Sequence, residues 1–153
     1  PPPPAEPSPH TALDGMDPRQ PVPLLPLMAF HQKQQMRDHL EAVEALTGAL
    51  AVDDWAGVEA AAVRLGTSDE AKMACEHMGA GAEGFTEQAL DFHARADRVA
   101  ELARSQRHAE VLQATHHMLQ ACTGCHAKWK QQVLDPESYS ARTGIRGGDL
   151  PHN

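Results

Sequence analysis

The stretch QACTGCHAKW, residues 120–129, places two cysteines on either side of a two-residue gap, with a histidine directly after the second. Three chemistries use such a pair. A structural zinc site needs four ligands, usually two such pairs; here Cys122 and Cys125 stand as one pair and Cys75 is alone. A redox dithiol sits at a helix N-terminus beside a parallel sheet, whereas this pair lies well inside the last helical stripe of the chain. The third chemistry is covalent haem attachment, in which both thiols bond to haem vinyl groups and the histidine becomes an axial iron ligand. At ~100° per residue, positions 122, 125 and 126 fall within roughly 100° of arc on one helix face. One flat ring can therefore meet all three. The reading is a single haem c, anchored by Cys122 and Cys125, with His126 on the iron.

Outward from this stretch the apolar residues recur at helical spacing. Val111, Thr115, Met118, Cys122, Cys125 and Trp129 form the last stripe, and Phe85, Phe92, Ala96 and Val99 the one before it. Met36, Leu40, Val43, Leu46, Thr47 and Leu50 mark the first helix. Asp53 and Asp54 offer an N-cap to a second helix, whose buried side is Trp55, Val58, Ala62 and Leu65 and whose end is Gly66. No strand alternation competes. The expected class is all-α, with four amphipathic helices in an up-down-up-down four-helix bundle over residues 27–134. Residues 1–26 are proline-rich and read as a disordered tail, a spacer or a tether to a membrane anchor. Residues 135–153 read as a flexible extension. The longest connection is GTSDEAKMACEHMGAGAEG, residues 66–84, part of it with helical character.

Composition agrees. Aromatics make up 4% of the 153 residues, which suits helix packed on helix better than a sandwich. A formal charge of −8 argues against nucleic acid and for basic partners. No stretch approaches the ~20 apolar residues of a membrane span. Three cysteines do not make a disulfide framework. Beside the motif there is no acid–base pair or nucleophile, so an enzyme is not expected.

CTGCHAKWK (residues 122–130) and KQQMRDHLEAVEALTGALA (residues 33–51) resemble the haem segment and first helix of class II c-type cytochromes, the cytochrome c-prime family and its low-spin relatives. The resemblance covers residues 27–133. It implies a haem-bearing four-helix bundle in the periplasm, with its export leader removed. It also implies one-electron exchange with redox partner proteins, and a homodimer. In the low-spin relatives a methionine of the first helix is the sixth iron ligand, and Met36 matches it.

The residues give Met36 separate support. Taking it as zero, Leu40, Val43, Thr47 and Leu50 fall within ~40° on the wheel, so Met36 is expected to point into the core. His31 lies about 140° away and His39 about 60°. A histidine ligand, or an open site that binds NO or CO, stays in competition. Phe85 and Phe92 are the candidate aromatic walls, and Trp129 the cover of the ring edge. His93 reads as a core-edge histidine with a satisfied partner. A second cluster, Cys75, His77 and Met78, which Met28 and His31 can approach, offers soft ligands for Cu(I). Its plainer reading is a surface loop in which Met78 packs on the bundle end and Cys75 is a free thiol.

Overall fold

The computed structural model describes residues 9–146. Along the chain lie α1 (Pro9–Met16), β1 (Gln20–Leu24), α2 (Pro26–Ala51), α3 (Trp55–Leu65), α4 (Asp69–Gly79), α5 (Phe85–Ala103), α6 (His108–Lys128), β2 (Trp129–Val133) and α7 (Pro136–Thr143). Helix dominates, and none of the described helices is long and apolar enough to cross a membrane.

Local chemistry accounts for the boundaries. Pro26 starts α2, where its missing N–H costs nothing. Asp54 caps α3 as expected, its side chain accepting from Gly57 N at 3.0 Å. Ser68 does the same for α4 through Ala71 N at 3.0 Å, with Asp69 and Glu70 in the first turn. The long connection therefore holds a helix of 11 residues.

Helices α2, α3, α5 and α6 share one apolar core, including Leu46, Leu50, Val58, Leu65, Val99 and Met118. Helix α2 packs on α3, α3 on α5, and α5 on α6. The last two pairs run antiparallel. Arg104 reaches Glu59 at 2.7 Å while His93 meets the Leu65 carbonyl; Arg95 reaches the His117 carbonyl at 2.8 Å while Trp129 meets Gln88. Among the described residues no comparable packing joins α2 to α6.

Four expectations need correction. Residues 20–24 are not a loose tail: they form β1, which pairs in parallel with β2, Gln20 opposite Trp129 and Leu24 opposite Val133. Prolines do not forbid this, because each strand of a two-stranded sheet has a free edge for the positions that lack an N–H. Val22 and Leu24 are buried, and the expected boundary at residue 26 shifts accordingly. Residues 1–8 of the expected tail lie outside the described residues. The C-terminal extension is also built. Asp135 caps α7, and Tyr139, 1% exposed, is driven into a second cluster with Leu24, Met78, Phe85 and Trp129. Residues 147–153 lie outside the described residues. Trp129 does not continue the last helix; it opens β2. Finally, Met36 is 39% exposed and Leu40 70% exposed, not core. The inward face of α2 is rotated toward Ala42, Leu46 and Leu50, with His39 partly covered.

Candidate functional site

Cys122, Cys125 and His126 occupy the last two turns of α6. Both thiols are half-buried. Cys122 borders the main core and Cys125 the second cluster. Cys122 Sγ donates weakly to the Met118 carbonyl at 3.7 Å. Burial pushes both thiols above their ordinary pKa; for Cys125 a charge on Cys122 adds to the effect and Lys128 opposes it. Cys75 on α4 is pushed up to about 11, by burial first, then by Cys125 and Glu76. Reactive dithiols have the opposite electrostatics, with a lowered pKa at a helix N-terminus. The redox-dithiol reading loses its physical basis here.

His126 is exposed, and among the described residues no hydrogen bond or ion pair engages its ring. Its carbonyl is one of the unsatisfied groups at the end of α6. Arg19 Nη1 donates to it at 3.4 Å and to the Trp129 carbonyl at 3.5 Å. Asp17 holds Arg19 through three contacts of 2.8–3.1 Å, and Lys130 Nζ donates to the Asp17 carbonyl at 3.0 Å. The segment before β1 thus straps down the end of the helix that carries His126. Sequence reasoning missed Arg19 because it lies inside the proline-rich stretch.

The seam between α2 and α6 is where the two helices fail to close. At its far end Thr47, Leu50 and Ala51 face His108, Leu112, Thr115 and Leu119 around an apolar cavity of about 400 Å³. Met36 lies ~20° from Thr47 on the helical wheel, and His126 lies ~20° from Leu119. Both therefore belong to the faces that line the seam. Their heights also agree. Asp53 meets His108 at 2.8 Å at one end of the seam, and Gln32 meets Gln131 at 2.6 Å at the other. Counted from these links at ~1.5 Å per residue in the helices and ~3.3 Å in β2, Met36 stands about level with residues 125–129. Leu112 and Leu119 were not singled out from sequence, although their seven-residue spacing to His126 carries the signal.

The remaining candidates scatter. His39 points to α5, its ring 5.0 Å from Phe92 and 5.5 Å from His93. Burial, helped by His93 and Arg64 against Asp38, lowers its pKa to about 4. His93 Nδ1 donates to the Leu65 carbonyl at 2.7 Å, the satisfied core-edge histidine expected. His31 is exposed and touches the edge of Phe30. Phe92 sits in the main core; Phe85 and Trp129 pair edge to face at 5.7 Å in the second cluster. Helix α4 buries Cys75 and Met78 but leaves His77 half-exposed. Met28 does join Met78 in the second cluster. Among the described residues no group of three or more His, Cys, Asp or Glu side chains gathers as a metal would require.

The donor set on α6 fits haem c: two thiols kept protonated, an imidazole with both nitrogens free, and an apolar seam beside them. No family model, curated protein or solved structure matches this chain.

Proposed function

We propose that the chain is a periplasmic monohaem c-type cytochrome, arranged as an up-down-up-down four-helix bundle, that passes single electrons between partner proteins. What supports this reading is that Met36 and His126 fall, by helical count, on the faces of α2 and α6 that border their open seam, with Cys122 and Cys125 on the same helix as His126. When bound, the haem supplies a metal centre that cycles by one electron. Cys122 and Cys125 would hold it by thioether bonds. His126 would supply an imidazole nitrogen to the iron, and Met36 a thioether sulfur. With the haem in place, Leu40, Val43 and Leu119 would line the seam, and that apolar lining would favour the lower-charged state of the site. Arg19 and the β1–β2 ladder keep the end of α6 from fraying, which fixes the backbone that carries His126.

The test is covalent haem retention. The purified protein should keep its haem through a denaturing gel, and Cys122→Ala with Cys125→Ala should release it entirely. Loss of haem from the wild-type chain under the same treatment overturns the assignment. A five-coordinate, gas-binding site is the competing reading, and the spectrum of Met36→Ala with and without CO separates the two.

A further inference from the structure

The chain carries a formal charge of −8, yet its cations are not evenly engaged. Away from the end of α6, Arg64, Arg95, Arg98, Arg104 and Arg107 each pair with a carboxylate at 2.6–3.3 Å. Toward that end, Lys33, Arg37, Lys128 and Arg142 make no ion pair among the described residues, a state that Lys72 on α4 shares. Of the nearby carboxylates two are engaged, while Glu76, Glu83, Glu87 and Glu137 make no ion pair among the described residues. Asp17 is held by Arg19 and approached by Lys130 at 3.8 Å, and Asp135 is occupied by its capping contacts.

Two of the unpaired cations share a cleft. A shallow bowl of about 600 Å³, open to solvent, is lined by Gln20, Glu83, Gly84, Lys128, Trp129 and Arg142. Lys128 Nζ lies 4.6 Å over the Trp129 ring, which holds the ammonium in place without neutralising it. The floor is fixed by close packing, since a Cβ at Gly81 would collide with Pro23 and Thr143. One carboxylate, Glu83, faces two cations, so the bowl is net positive. It is too open to enclose a small ligand, but it suits acidic side chains projecting from another protein. Lys33 and Arg37, exposed on α2 near Met36, add two further cations toward this end, with Asp38 beside them.

The geometry points to this bowl as the docking face for a partner protein that presents acidic side chains, the reverse of what the net charge suggests. Local charge, not the total, steers an encounter at short range. The inference rests on the proposed electron-transfer function, and it places the partner beside the helix end that carries His126.

The experiment is stopped-flow oxidation of the reduced protein by hexacyanoferrate(III), one electron leaving the protein and reducing the complex to hexacyanoferrate(II), across a series of salt concentrations. Docking at a positive face predicts a rate that falls several-fold as salt rises. Lys128→Glu combined with Arg142→Glu should flatten that dependence, and Lys72→Glu should leave it unchanged. A wild-type rate that rises with salt, as a charge of −8 acting on an anion demands, overturns the proposal, as does an unaltered dependence in the double variant. A second arm needs no haem. An octaglutamate peptide should shift the backbone NMR signals of residues 81–84 and 128–129, and the double variant should abolish those shifts. Absence of shifts in the wild type counts against the docking face, whereas absence of haem counts against the function alone.

Discussion

The two sides of α2 differ in what covers them. On one side Ala42 and Leu46 are fully buried against the shared core. On the other, Met36 and Leu40 are 39% and 70% exposed, and Leu112 across the seam is 53% exposed. A helix normally has one apolar stripe and one polar face. Here a second apolar stripe stands beside the first and is not covered by the chain's own helices. The lesson is that apolar spacing identifies faces that are meant to be covered without saying what covers them. The first stripe holds the fold together; the second lines the place where the proposed haem is gripped.

Mutations should separate the two sides. Leu46→Ala removes a fully buried side chain and should cost about 2–5 kcal/mol in urea unfolding. Leu24→Ala, equally buried in the second cluster, should cost a similar amount and would show that residues 20–24 belong to the cooperative unit. Leu40→Ala, on the open side, should change the stability of the haem-free chain by no more than about 0.5 kcal/mol. Equal costs for Leu46 and Leu40 would erase the distinction.

His39, turned to the closed side of the same helix, gives the next effect. Its folded pKa of about 4 lies below the ordinary 6.5. The neutral ring is therefore favoured by folding, and the unfolded chain binds the extra proton between these values. Stability is complete above pH ~6.5 and should decline by about 2–3 kcal/mol as pH falls to ~4. His39→Gln should remove most of that slope in a series of urea titrations. A smaller effect belongs to the turn between α2 and α3, where Asp54→Ala should cost about 1 kcal/mol through loss of the cap. The smallest is on the solvent face of α5, where Arg98→Ala should cost under about 0.5 kcal/mol, because its pair with Glu101 is exposed.

The four main helices were legible because Leu, Val and Phe recur in them at three- and four-residue steps, and because Asp54 is a recognisable cap. The placement of Cys122, Cys125 and His126 on one helix face was legible for the same reason. Four features were not. The strand QPVPL carries two prolines, and only its partner, 109 residues downstream, shows why they are tolerated there. Residues 20–24 and α7 become structured through contacts distant in sequence, such as the burial of Tyr139, that no local pattern announces. The direction of Met36 was misjudged because its stripe shares Leu50 with the core-facing one. Alanine and histidine, at Ala42 and His39, tip the balance inward although neither stands out in an apolar count. The seam itself is a missing contact between helices, and spacing within one helix does not register it.

The most direct test of the central claim is the absorption spectrum of the reduced protein with and without CO, taken on wild type and on Met36→Ala. Ligation by His126 and Met36 predicts sharp low-spin bands in the wild type that CO leaves largely unmoved. The variant should turn high-spin and bind CO rapidly. A wild-type spectrum that is already high-spin and shifts at once with CO, or a Met36→Ala spectrum identical to the wild type, would contradict the account.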